Sequence, residues 1–354
     1  MTTPAGSETG QAPARRLSGL SALGGRSEGR IARLLITPGQ LLLLFLVGFP
    51  AGVAVYIGFT AYSGTSSYQW FDAWKEWLWF DNYWEALSSS GFWAAIWRTV
   101  IVTGLAVGVE FTLGFVLAFL FLKQFRGRSL LTVFFLLPMM IVPAVAGFIF
   151  YMLFQTQGPV NAALTAVFHD VLHLTGPIHV PWLSDPGIAI YSVIAADIWQ
   201  WTPLMFLIFL SGLVALPEDQ MNQARILGAG FWHQLRYLVL PMMKPIILIA
   251  LIIRSIEVFK IFDSAWLLTR GGPGDATTTI SVYLYRQIND NYRYGYASAA
   301  AIIVLILVSV AAMQAIRPIE AAQEETLEEL VGAEALIHEQ FVDDALAAGA
   351  RAHG

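Results

Sequence analysis

Four ionisable residues recur at three-residue intervals in an otherwise apolar run: Arg254, Glu257, Lys260 and Asp263. They alternate in sign. On a helix each step of three turns by about 300°, so the ladder drifts around the surface, and neighbours at i, i+3 come within pairing reach. Isolated charges in lipid are costly, so such groups face a protein interior or water. Two readings stay open here. The ladder neutralises itself and holds helices together, or Glu257 and Lys260 line a path and bind substrate hydroxyls, with Asp263 at its outer mouth. Glu110 and Asp197 are single acids in two other apolar runs. Each fits pairing with Arg254 or Lys260, or contact with a polar ligand. Trp199, Trp201 and Tyr191 offer ring faces on which a sugar could stack, or ordinary packing surface.

Other chemistry has few carriers. There is no cysteine, so disulfides, thiolate nucleophiles and Cys-based metal sites are excluded. The six His are scattered; His169 and His173 stand at i, i+4 with no third ligand near them, so no metal site is expected. Arg270-Gly-Gly-Pro-Gly274 is Gly-rich but is not the G-x4-G-K-[ST] string of a phosphate loop, and that string occurs nowhere else. No catalytic set and no ATP hydrolysis by this chain are expected.

These residues sit in a chain of 354 residues that is 56% hydrophobic and only 13% charged, too apolar for a soluble protein of this length. Runs long enough to cross a bilayer begin near residues 34, 99, 130, 188, 246 and 296 and end near 61, 122, 154, 214, 266 and 316. The expected fold class is all-α, a polytopic membrane protein with six transmembrane helices. The first run is longer than a signal-peptide core. Pro138 and Pro143 should bend the third. Residues 1–33 are rich in Gly, Ser and Ala with five Arg, and read as a disordered basic tail. Residues 317–354 form an acidic tail. Since the whole chain sums to −5 and the stretch from Glu320 to −8, the remainder carries +3. Neither value suggests nucleic acid as a partner.

Between the first two runs, Trp stands at 70, 74, 77, 79, 84, 93 and 97. Trp70, Trp74 and Trp77 would share one α-helical face, and indole rings favour the membrane–water boundary, so an interfacial helix is expected; a sugar-stacking platform is the alternative. Lys and Arg flanking the runs number twelve on the side of the N-terminus and five on the other. The excess places both termini in the cytoplasm, and with them the loop 216–245.

That loop reads LPEDQMNQARILGAGFWHQLRYLVLPMMKP. Pro217 suits a first helical position, and Glu218 and Asp219 suit a helix N-terminus. Gly228 and Gly230 around Ala229 mark a turn. A second short helix, Phe231 to Leu240, should end near Pro241 and Pro245. At these residues the chain resembles the permease subunits of ABC importers, whose cytoplasmic loop follows E-A-A-x3-G-x9-I-x-L-P. Ala224, Gly228, Leu240 and Pro241 match at that spacing, with Leu238 in the Ile place. Asn222, Gln223 and Leu227 depart from Glu, Ala and the Asp frequent in sugar permeases. The stretch KIFDSAWLLTRGGPGDATTTISVYLYRQ resembles the L-T-x-G-G-P loop of carbohydrate-uptake permeases, including those for polyols and glycerol 3-phosphate.

The resemblance covers about residues 35–316, with the family core from about 94. It implies a permease subunit of the bacterial or archaeal cytoplasmic membrane that forms half of a translocation path. Its implied partners are a second permease, expected to be a different chain, an ATPase dimer that uses ATP and Mg, and an external substrate-binding protein, in contact with membrane lipid. Asn222, Gln223, Ala224, Arg225, Leu227, Gly228, Ala229 and Pro241 would then form the coupling site. Glu110, Asp197, Trp199, Arg254, Glu257 and Lys260 would line the substrate path. An ATP-independent secondary transporter or channel is the alternative, and a membrane enzyme a third class; the first usually shows inverted repeats, which this sequence lacks.

Overall fold

A computed structural model describes residues 36–174 and 176–317. The basic tail expected at 1–33 and, apart from Arg317, the acidic tail expected at 317–354 fall outside these residues. The described residues are helical, with no strand beyond one isolated antiparallel bridge between Thr60 and Trp77. The all-α expectation holds. Among the described residues five helices are long and apolar enough to cross a bilayer, and a bent pair supplies a sixth crossing if it counts as one span.

The first span, α1 (Ile36–Gly58), lies almost wholly in a compact unit that ends at Tyr56. Within it Phe45 and Phe49, one turn apart, stack at 5.5 Å. The second unit begins at Ile57. It opens with a turn of 3-10 helix at Trp70–Glu76, then α2 (Asp81–Ser88). The predicted amphipathic α-helix through Trp70, Trp74 and Trp77 is therefore corrected. A 3-10 turn advances three residues per turn and is stable only in short pieces, and Trp77 follows it in extended conformation.

The long helix α3 (Ser90–Leu122) starts nine residues earlier than the apolar run suggested, because the Ser89 hydroxyl accepts from the Phe92 N–H and caps it. A basic turn leads to α4 (Arg128–Leu136). A 3-10 turn at Pro138–Met140 follows, and then α5 (Pro143–Leu153) after a 97° bend. The prolines break this span more sharply than a kink. The freed Ile141 carbonyl is satisfied by the Gln200 side-chain amide at 2.7 Å, as backbone opened at membrane depth requires. Then come α6 (Pro159–Thr165), α7 (Ala189–Val214), α8 (Glu218–Ile226), α9 (Phe231–Phe259), α10 (Asp263–Thr269), α11 (Ile280–Asn289) and α12 (Tyr294–Arg317).

The core lies where α3, α7 and α9 meet. Phe115, Phe206, Phe209, Met205 and Met243 are buried there, and Phe209 meets Phe111 and Phe115 edge-on at 5.2 and 5.4 Å. Gly114 makes the crossing of α3 and α7 possible. A Cβ there would stand 2.7 Å from Met205 Cβ and 2.9 Å from the Phe206 nitrogen. Lipid tails are as apolar as the core, so close backbone packing at small residues replaces the hydrophobic drive between helices.

Two further boundaries differ from the sequence reading. The helix from Phe231 does not stop at Pro241. It continues to Phe259 through a wide π segment, Leu235–Val239, in which the Leu240 N–H bonds back five residues to the Leu235 carbonyl. The wider turn lets the chain pass the N–H that Pro241 lacks. The fifth run, read as one span to Trp266, divides: α9 caps at Lys260 and α10 restarts at Asp263.

Candidate functional site

The polar loop 216–245 is built as the Gly spacing suggested. Glu218 and Asp219 occupy the first turn of α8, and Arg225 the last. The helix ends when Gly228 turns left-handed, with φ +82°. The Gly228 N–H then bonds to the Arg225 carbonyl at 3.0 Å, and the Ala229 N–H to the Ala224 carbonyl at 2.9 Å. These paired bonds are a Schellman closure, which needs a residue free to adopt positive φ. Gly230 begins α9, and the Gln234 amide donates to the Ala229 carbonyl at 2.6 Å. The turn is thus closed from both sides.

The tip of this loop is open and apolar. Ile226 is 85% and Leu227 87% exposed, with Trp232 also exposed beyond the turn. Asn222, Gln223 and Gly228 are exposed, Ala224 and Ala229 half-buried, and Pro241 is exposed on α9. Asn222 accepts from Arg225 Nη1 at 3.3 Å. A groove of about 580 Å³ runs from Phe115 and Leu122 on α3 past Met221 and Arg225 to Trp232 and Val239.

The charge ladder separates into two sets. Arg254 points into the core and is buried with Glu110 of α3 and Asp197 of α7. Its Nε donates to Glu110 Oε2 at 2.7 Å and its Nη2 to Glu110 Oε1 at 2.9 Å; Nη2 also donates to Asp197 Oδ2 at 2.7 Å. The guanidinium lies 5.1 Å from the Trp201 ring centroid. Glu257 and Lys260 instead pair with each other at 2.9 Å and stay largely exposed. Asp263 starts another helix, so the ladder expected on one helix is interrupted. The cause is the break after Lys260: a step of 300° is maintained only while the helix continues.

Both sets border one cavity of about 190 Å³, lined by Asp197, Trp201, Arg254, Glu257, Lys260 and Asp263 together with Pro143 and Ile261–Ser264. Glu110, fully buried against Arg254, is not among these residues, and neither is Trp199. Its ring packs against Phe150 at 5.3 Å, because residues two apart on a helix point to different sides. The sequence reading put Trp199 on the substrate path and offered Trp201 only as a possible stacking surface; the cavity is lined by Trp201 instead, because only the phase set by tertiary packing distinguishes the two. Phe262 and Ser264 were not anticipated, as they enter the cavity through the break between α9 and α10. Among the described residues no group of three His, Asp or Glu could hold a metal.

An all-α chain with long and bent apolar helices, a closed polar loop and a charged cavity among its helices has the architecture of a polytopic membrane protein. A family model for the binding-protein-dependent transport system inner membrane component matches residues 110–319, and the chain belongs to this family. It is 42% identical over 190 residues to the probable ABC transporter permease protein y4oQ of Sinorhizobium fredii, covering 54% of this chain and 59% of that protein. It is 32% identical over 184 residues to the trehalose/maltose transport system permease protein MalF of Thermococcus litoralis, covering 52% and 60%. Thus it spans about three fifths of the length of these two relatives. The trehalose transport system permease protein SugA of Mycobacterium tuberculosis is 30% identical over 267 residues, covering 73% and 78%. In fold it is similar to a chain in the crystal structure of a bacterial alginate ABC transporter in complex with alginate pentasaccharide-bound periplasmic protein, with a TM-score of 0.68 at 21% identity, over 83% of this chain and 95% of that one.

Proposed function

We propose that this chain forms half of the translocation path of an ATP-driven importer for a sugar or polyol. An external binding protein delivers the substrate, and a second, different permease completes the path. An ATPase dimer supplies the energy, using ATP and Mg that this chain does not itself bind. The termini and the loop 216–245 face the cytoplasm of a bacterial or archaeal cell.

The observation that carries the reading is the pairing of an apolar-tipped loop, closed by backbone hydrogen bonds, with a charged cavity in one helix bundle. Leu227 and Ile226 stand in water on a loop closed by paired backbone bonds. An exposed apolar tip of this kind marks a contact surface. A groove on the ATPase would receive it, and α9, continuous from Phe231 to Phe259, would carry its motion as a lever to the cavity wall. There, Glu257 and Lys260 present an acceptor and a donor to sugar hydroxyls, and Trp201 offers an apolar ring face beneath Arg254. The buried Arg254–Glu110–Asp197 set holds the wall in place. Alternating access needs such rigid parts around a bistable bundle.

The test is a mild-detergent pull-down of tagged protein from its native membrane, followed by mass spectrometry. Recovery of a P-loop ATPase with a second six-span protein supports the importer. Recovery of this chain alone, still active for uptake in proteoliposomes without ATP, overturns it in favour of a secondary transporter.

A further inference from the structure

The segment between α1 and the body of α3 holds seven of the chain's twelve Trp, and the transport reading uses none of them. Its inner side is fixed. Phe59 stacks on Trp77 at 5.6 Å and meets Phe80 at 5.4 Å and Tyr83 at 5.0 Å. Asn82 donates to the Gly58 and Thr60 carbonyls at 3.0 and 2.8 Å, and Ala73 and Ala86 are buried. Its outer side is aromatic: Trp79 is 68%, Phe80 65%, Trp84 74% and Trp97 64% exposed. Trp79 holds φ +52°, a conformation that bulky residues avoid and that persists only where the surroundings impose it. Two ion pairs lie near the rings, Lys75 with Asp72 at 3.0 Å and Arg293 with Glu85, and with Glu76, Asp81 and Arg98 added these charges sum to only −1, so the patch carries little net charge.

The rings continue into a membrane span. Trp93 and Trp97 stand one turn apart at the start of α3, and Trp93 Nε1 donates to the Leu87 carbonyl at 2.7 Å, joining the end of α2 to that turn. Helix length sets their height. At 1.5 Å per residue, Trp97 and Trp93 lie about 38 and 44 Å along α3 from Leu122, which is the full thickness of a bilayer with its headgroups, about 40–45 Å. Leu122 and Lys123 border the groove beside α8, so these Trp lie at the opposite face. Indoles, with an apolar body and one N–H, partition to the boundary between headgroups and acyl chains.

We propose that Trp79, Phe80, Trp84 and Trp97 form an aromatic collar seated in the phospholipid headgroup–acyl boundary at the membrane face remote from α8, fixing the height of α3 in the bilayer. The partner is the lipid itself, bound through ring burial and not through charge. Such a collar requires the spans and not the transported substrate.

The test compares tryptophan emission of the full chain with that of the double variant W79F/W84F, both in phosphatidylcholine nanodiscs. The difference isolates two indoles, and Phe keeps the ring bulk. Collar seating predicts a blue-shifted difference spectrum. It also predicts that bromines placed high on the acyl chain remove most of this emission, that bromines near the chain end remove less, and that aqueous iodide removes little. The W97F difference should behave in the same way. Quenching by iodide with no response to brominated lipid overturns the proposal. So does difference emission that changes only when a sugar-loaded binding protein is added, since the rings would then be a docking or stacking platform. Near-native far-UV circular dichroism of the variants excludes misfolding as the cause of either result.

Discussion

Arg254 and Glu110, 144 residues apart in sequence, are joined by two hydrogen bonds of 2.7 and 2.9 Å in the centre of the helix bundle. This paired geometry matches the planar fork of a guanidinium to a carboxylate. Asp197 adds a third bond, so one side chain ties α9 to both α3 and α7. Removing one partner of such a buried set leaves charge without compensation, which costs about 3–5 kcal/mol. Arg254→Leu should therefore lower the thermal transition of the purified protein markedly and reduce its yield in the membrane. Glu110→Gln, which keeps the shape and one of the two acceptor oxygens while Asp197 still pairs with Arg254, should cost less. Equal stability of Arg254→Leu and the parent in a detergent melting experiment would contradict the tie.

Gly228 is governed by conformation and not by crowding. No atom lies within 4 Å of a Cβ built there, yet φ is +82°. A β-branched residue in the left-handed region costs on the order of 1–2 kcal/mol and opens the paired bonds to Arg225 and Ala224. Gly228→Val should leave the spans folded and the protein in the membrane while uncoupling ATP hydrolysis from uptake. Asn at this position, which tolerates positive φ, should retain more uptake than Val. Wild-type uptake by Gly228→Val would count heavily against the coupling role.

Leu227 and Ile226 offer a separate test of the same loop. Their side chains are almost wholly exposed, so Leu227→Asp should not disturb folding. Truncation or charging of an anchor at the centre of a contact typically costs more than 2 kcal/mol of binding. Co-purification of an ATPase should fall at least tenfold with Leu227→Asp, and undiminished recovery would place the contact elsewhere.

The exposed pair Glu257–Lys260 contributes little to stability, since exposed ion pairs are worth about 0–1 kcal/mol. Glu257→Gln should leave the melting temperature nearly unchanged. A change in uptake rate or apparent substrate affinity would then reflect a role in the path, whereas unchanged transport would assign the pair to the surface alone.

Gly114 tests the crossing of α3 and α7. Inserting bulk into a packed contact costs about 1–3 kcal/mol where side chains can shift, and here part of the obstruction is the Phe206 backbone. Gly114→Val should lower membrane yield and accelerate proteolysis of the bundle, while the nearby Gly108→Val, with nothing within 4 Å of its Cβ, should be tolerated.

Features governed by neighbours along the chain were legible in the sequence. Run length and apolarity set the spans, because a bilayer has a fixed thickness. The spacing of Gly228 and Gly230 set a helix–turn–helix, because a left-handed closure is a local backbone event. Charge opposition within three residues found Glu257 with Lys260. Tertiary structure decided the rest. Which acids meet Arg254 depends on partners 144 and 57 residues away, and no local period encodes them. Trp201 rather than Trp199 reaches the cavity because packing fixes the rotation of α7. Pro241 passes through α9 instead of ending it, because the π segment before it accommodates the lost hydrogen bond. The Trp-rich segment became a 3-10 stretch and a short helix with exposed rings, because Phe59 and Asn82 hold its inner side. Residue composition thus established the membrane as the solvent and the loop as ordered, while long-range packing chose the pairings that make a site.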